Sequence, residues 1–206
     1  MTFSKLGAAI TFNVEEEVFN WLCDAERPIE VQDFTSPNIL NSDFTGLVLE
    51  YKDKLKSHKG TIGLHGPFFG LDLGNREIEL QKLISKRLLV TLDICEQLGA
   101  KYMVIHSPFN DWMTLNKRQY PHVLSSTISA MTDILESPLK RASDIGCTLV
   151  LENCDDTDPN MRLNAIQEIN HSNLRLSLDT GHAFLSHSNY HAPSVIDFID
   201  AAEGYL

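Results

Sequence analysis

The amino-acid sequence predicts an α/β fold built on parallel strands, and three observations carry that reading. Short apolar, β-rich runs alternate six times with longer segments of helical period. No two-residue hairpin signal joins one run to the next, so the strands need right-handed crossovers rather than tight turns. Runs such as Tyr102-Met103-Val104-Ile105 are apolar on both faces, as a sheet covered by helices requires. No Gly/Ser linker or low-complexity tract interrupts the series, so residues 1–206 read as one domain, long enough to bury a substantial core.

The elements follow in order. Lys5 to Phe12 is the first strand; Asn13 is then a candidate N-cap before an acidic first turn and a helix ending near Glu26. Pro28 to Phe34 is the second strand, and Phe44, Leu47, Val48 and Leu55 are spaced for one face of a helix that Gly60 terminates. Thr61 to His65 is the third strand. The Pro67–Asn75 loop leads into a helix from Arg76 to Leu98, closed by Gly99 beyond its last turn. Tyr102 to His106 is the fourth strand. The following helix runs through Val123, Ile128, Met131, Ile134 and Leu135, and Pro138 is expected to kink or interrupt it before Gly146. Thr148 to Glu152 and Leu174 to Asp179 are the fifth and sixth strands, and a last helix lies around Ser194 to Ala202.

Composition narrows the function. The chain carries 17 Lys+Arg against 28 Asp+Glu, a net charge of −11, which argues against a polyanion-binding surface and makes nucleic acid an unfavoured partner. Cys23, Cys95, Cys147 and Cys154 are scattered without a CxxC pair, which suits a reducing compartment. The opening MTFSKLGAAITF is too brief an apolar run for a signal peptide, and Glu15-Glu16-Glu17 follows it. No stretch approaches the roughly 18 apolar residues of a membrane helix. The expectation is a soluble cytoplasmic protein with no membrane partner.

In parallel α/β folds functional residues gather at the carboxyl ends of the strands. Here the third strand ends in His65 (LHGPF), the fourth in His106 (IHSPF), the fifth in Glu152 (LENCDD) and the sixth in Asp179, with His182 three residues on (LDTGH). Any one of these has an ordinary explanation, a hydrogen-bonded strand-end histidine or a carboxylate capping the next helix. Five potential ligands at one edge of the sheet point instead to a shared metal site. Mixed imidazole and carboxylate donors suit Zn²⁺ or Mn²⁺ first, with Co²⁺, Fe²⁺ and Mg²⁺ as alternatives.

HGPF at His65, VIHSPF at His106, VLEN at Glu152 and LSLDTGHAF around Asp179, from Leu176 to Phe184, together resemble the xylose-isomerase-like TIM-barrel superfamily. That group includes sugar phosphate isomerases and epimerases and the endonuclease-IV-type apurinic endonucleases. The resemblance spans the chain and implies a (β/α) barrel. It implies that Glu152 and Asp179 are metal ligands, with Glu152 also the acid/base, and that His65, His106 and His182 are ligands as in the endonuclease branch. The expected function is therefore metal-dependent isomerisation or epimerisation of a sugar or sugar phosphate by proton transfer α to a carbonyl. Two other readings stay open: metal-assisted phosphodiester hydrolysis of the endonuclease-IV kind, and a metal- or ligand-binding barrel without turnover.

Two departures bear on these alternatives. The first strand, Leu6-Gly7-Ala8-Ala9-Ile10, lacks the Gly-x-His-Val-Ser-like opening of the endonucleases, and the loops 71–75 and 155–158 are acidic or neutral. The resemblance also implies a His on a seventh strand and a Glu on an eighth. Six units over 206 residues average about 34 each, so eight would need roughly 275. The expectation is six βα units of eight, with either a longer protein or a homo-oligomer covering the open sheet edges. Phe68, Phe69 and Trp112 follow the histidine strand ends and are candidates to stack on a sugar ring; Phe69, Trp112 and Asn153 form the expected substrate-binding set. Glu30 and Gln32 are candidates to face the barrel interior. His187 and His191 read as a solvated polar loop, and Lys101 and Arg175 as surface charge.

Overall fold

The structure, a computed structural model, describes residues 6–206. Lys5, the expected start of the first strand, lies outside the described residues. Along the chain come β1 (Ala8–Ile10), α1 (Glu16–Asp24), β2 (Ile29–Val31), a 3-10 turn (Asp33–Thr35), α2 (Pro37–Leu40), α3 (Thr45–Leu55), β3 (Ile62–His65), α4 (Ile78–Leu98) and β4 (Tyr102–His106). They are followed by α5 (Asp111–Asn116), α6 (His122–Ile145), β5 (Thr148–Glu152), α7 (Pro159–Ile169), β6 (Leu174–Ser177), α8 (Thr180–Tyr190) and α9 (Val195–Ala201). All six strands are parallel and lie in sequence order, β1-β2-β3-β4-β5-β6. This is the α/β architecture of a partial TIM barrel.

Strand alternation separates two faces. Ile29, Val31, Leu64, Met103, Ile105, Leu149, Leu151, Leu174 and Leu176 are buried against the helices and form the core with Leu88, Leu92, Ile134 and Leu135. Glu30, His65, His106, Glu152 and Ser177 occupy the other face. Arg175 also belongs to that second face and is exposed there, so its place is the inner wall of the sheet rather than the amino-end surface. Gly63 shares that face because it must: a Cβ there would meet the Tyr102 ring at 2.1 Å. At the outer end of the sheet, Leu176 N donates to Tyr205 O, so the terminal turn satisfies part of the β6 edge.

Four local expectations are corrected. Asn13 caps nothing; Glu15 is the N-cap of α1 and makes no side-chain cap bond. The helix expected through Phe44 and Leu55 is α3, which stops at Leu55 rather than at Gly60, and the short α2 precedes it. Pro138 does not interrupt α6, which runs unbroken to Gly146. Ile134 and Leu135 before the proline and Leu139 and Ala142 after it are buried where α6 packs along α4, and that burial offsets the roughly 3 kcal/mol of an interior proline. Finally, the supposed polar loop around His187 is the end of α8: Asp179 caps its start and His191, at φ 56°, closes it.

Candidate metal centre

Three strand ends converge. Parallel register places His106 beside Glu152 and His65 beside Val104, so consecutive strands deliver their last inward side chains to one spot. His65 Nε2 lies 3.2 Å from His106 Nε2 and 3.7 Å from Glu152 Oε2, and His106 Nε2 lies 3.5 Å from the same oxygen. A point equidistant from the corners of a triangle with those sides lies about 2.0 Å from each, matching the zinc–nitrogen and zinc–oxygen distances. The donor set therefore fits a divalent ion.

The surroundings prepare these donors. His65 is buried, and its Nδ1 donates to Gly66 O at 2.9 Å, which leaves the Nε2 lone pair facing His106 and Glu152. Gly66 is itself pinned, its N–H bonded to Val104 O at 2.8 Å in a space where a Cβ would sit 2.5 Å from that oxygen. Phe68 stacks on the His106 ring at 4.4 Å and meets the His65 ring edge-on at 5.1 Å. Burial works against a proton on His65, but the Glu152 carboxylate, the Gly66 carbonyl and Glu30 outweigh it and hold its pKa above the ordinary value. Burial and the neighbouring His65 push His106 down to about 4. Glu30 thus faces the inner wall, within the field of His65 and Glu152, and burial raises its carboxyl; Gln32 donates to it at 2.7 Å.

The other expected residues lie elsewhere. Asp179 is the N-cap of α8, its Oδ1 accepting from His182 N at 2.8 Å, while its Oδ2 is 4.0 Å from His182 Nε2. The donor atoms of His65, His106 and Glu152 lie within 4.8 Å of one another, a set that does not include this pair, and His182 is close enough for its charge to act on His106. Asn153 is buried, and its amide clamps the Asp179 backbone from both sides, Nδ2 donating to Asp179 O at 2.9 Å and Oδ1 accepting from Asp179 N at 2.8 Å. Phe69 is exposed and lines a cleft of about 210 Å³ with Leu40, Leu83 and Arg87. Trp112, on α5, stacks on Tyr120. Of the three aromatic candidates, Phe68 is the one that touches the histidines.

Sequence reasoning missed the groups beneath the site. The run 155–158, which reads as an acidic loop, buries Asp156 and Thr157, and Asp156 faces a buried Arg162 on α7. The signal was Asp158-Pro159, an N-cap with proline at the first helical position, which marks the start of α7 and puts Arg162 in its first turn.

Solved structures share this architecture. The TTHB071 protein of Thermus thermophilus, soaked with ZnCl2, is 24% identical at a TM-score of 0.63, over 86% of this chain and 67% of that one. The 3-keto-D-glucoside 4-epimerase YcjR of E. coli is 16% identical at a TM-score of 0.69, over 99% of this chain and 77% of its own. The IOLI protein, solved with a zinc atom, is 16% identical at a TM-score of 0.61, over 90% of this chain and 67% of its own. Among curated protein sequences, none matches. The family's sequence profile matches residues 28–204, and the chain belongs to the xylose isomerase-like TIM-barrel family.

Proposed function

We propose that this protein is a divalent-metal-dependent isomerase or epimerase of a sugar or sugar phosphate. The observation that carries the reading is the triangle of His65 Nε2, His106 Nε2 and Glu152 Oε2, whose sides suit one coordinated ion. Family membership, likeness to a sugar epimerase and likeness to a zinc-containing protein support it. Asp179 and His182 are proposed as further ligands, for the same ion or a second one. Zinc is the first choice of metal and manganese the second.

A bound ion would supply positive charge to polarise a hydroxyl–carbonyl pair. Glu152 directs Oε2 at the histidines, leaving Oε1 as the oxygen that removes the proton α to the carbonyl. Return of the proton to the neighbouring carbon isomerises the sugar; its return from the opposite face epimerises it. Phe68, packed on both imidazoles, offers an apolar wall that shields them from water.

The test is deuterium uptake from D2O into a panel of ketoses and sugar phosphates, followed by NMR. Zinc- or manganese-loaded protein is expected to exchange the α C–H of at least one substrate, and Glu152→Gln to lose at least about 100-fold of that rate, the scale of a general base. Full exchange by Glu152→Gln would remove Glu152 from its role. Strand cleavage of abasic-site DNA by the loaded protein, without sugar exchange, would favour the hydrolase instead.

A further inference from the structure

Arg162 and Asp156 are each 1% exposed, and no step proposed above uses them. Burying two charges costs several kcal/mol per ion, and an apolar pair would fill the same volume, so what the pair touches matters. Arg162 Nη1 donates to Leu151 O at 3.0 Å and to Ser177 O at 2.7 Å. Its Nε lies 3.3 Å from Asp156 Oδ1, without hydrogen-bond geometry. Asp156 Oδ1 accepts from Ser107 Oγ at 2.8 Å, and Oδ2 accepts from Cys154 N at 3.1 Å.

These partners are the neighbours of the proposed ligands. Ser107 follows His106, Leu151 precedes Glu152, and Ser177 is the register partner of Glu152. Ser107 N also donates to Glu152 O at 2.9 Å. A closed ring results, running from Ser107 through Asp156, Arg162 and Leu151 to Glu152 and back to Ser107 through that backbone bond, with His106 attached at Ser107. It joins the carboxyl ends of β4, β5 and β6 through one guanidinium and one carboxylate.

We infer that Arg162, Asp156 and Ser107 are positioning residues, whose buried network holds His106 and Glu152 at coordination spacing. The inference rests on the metal reading above. The guanidinium fork has the geometry for it, since one nitrogen reaches two strand-end carbonyls while another faces the carboxylate. A purely structural ion pair would influence stability alone. A positioning pair also sets the affinity of the ligands it holds, as the outer partners of metal ligands do.

The experiment compares Ser107→Ala, Asp156→Asn and Arg162→Lys with Leu139→Ala, which loosens the α4–α6 packing away from the site. Each folded protein is measured by thermal unfolding, by zinc titration against a chromogenic chelator, and by ¹⁵N spectra of the histidine rings without metal. The three network variants are expected to bind zinc about 10–100-fold more weakly and to shift the His106 ring signals. Leu139→Ala is expected to lower Tm with affinity and ring signals unchanged. Wild-type zinc affinity and unmoved ring signals in the network variants would overturn the inference, as would equal weakening by Leu139→Ala. Ser107→Ala, which removes one hydroxyl, carries the test if Arg162→Lys does not fold. If the wild-type protein itself binds no zinc, the metal reading falls; unmoved ring signals in Ser107→Ala would then overturn the positioning role too, and shifted ones would sustain it for the strand ends alone.

Discussion

The five ligand candidates divide into two groups that a strand-end motif does not distinguish. His65, His106 and Glu152 are the terminal residues of strands, largely buried, with donor atoms 3.2–3.7 Å apart and Phe68 packed on both rings. Asp179 and His182 lie just past a strand, at the first turn of α8, and their side chains are 40% and 43% exposed. The first group is held by sheet register and buried neighbours. The second is held by a helix cap, with one carboxylate oxygen already committed to the His182 amide. Rigid donors at coordination spacing bind an ion without ordering cost, whereas half-exposed donors must first be ordered.

The largest effect that would break this contrast lies in the trio. His106→Ala and His65→Ala are each expected to weaken zinc binding by more than about 100-fold, beyond the range for loss of an outer partner. A chelator competition titration measures it. Near-wild-type affinity in either variant would mean that the triangle is only a hydrogen-bonded cluster and that the metal, if any, binds elsewhere.

Asp179 sharpens the contrast because its two roles separate chemically. Asp179→Ala removes the α8 cap and should cost about 1 kcal/mol, lowering Tm by about 2–4 °C for a chain of this size. Asp179→Asn keeps a good cap and loses only the charge, so Tm is expected to hold. If Asp179 is also a ligand, zinc affinity falls in both variants; if the cap is its whole role, it falls in neither. His182→Gln, at the exposed end of the pair, is expected to change affinity for the first equivalent of zinc by less than about threefold, well below one lost hydrogen bond to a charged group.

Why the sequence revealed some of this and not the rest has physical causes. β4 and β5 were legible to the residue because continuous apolar runs flanked by Gly or polar residues have one reading. The histidines and Glu152 were legible because strand ends in parallel folds share an edge, so position along the chain becomes position in space. Distances across the edge were not, and the capping of α8 by Asp179 is a local feature that strand-end position does not reveal. Phe68 and Phe69 are adjacent and chemically alike; only the loop path decides which one meets His106. Arg162 and Asp156 were hidden for a different reason, since a charged residue is ordinarily solvated, and two of the groups that satisfy this pair, Ser107 and Ser177, are distant in the chain.

The smallest expected effect concerns a buried histidine at the opposite end of the sheet from the site. His58 lies between α3 and β3, is 8% exposed, and among the described residues has no partner in hydrogen-bond geometry at either ring nitrogen. Burial lowers its pKa against the opposing pull of the Arg27 carbonyl and Glu26. Its folded value therefore lies below the unfolded value of about 6.5, and the unfolded chain binds more protons between the two. Its contribution to stability is full above about pH 6.5 and is lost as the pH falls from there toward the folded value. His106, pushed down to about 4, acts in the same direction in metal-free protein, while His65, held above the ordinary value, acts against both. Zinc should hold both His65 and His106 deprotonated, which widens the proton difference from the unfolded chain, and leave the His58 share untouched. Thermal unfolding from about pH 7.5 to about pH 5 should thus show a fall in Tm without metal and a steeper one with it, and His58→Phe should lessen the fall in both. An unchanged slope in that variant would mean that His58 accepts its proton within the fold, and that burial at the amino end is less complete than at the metal end.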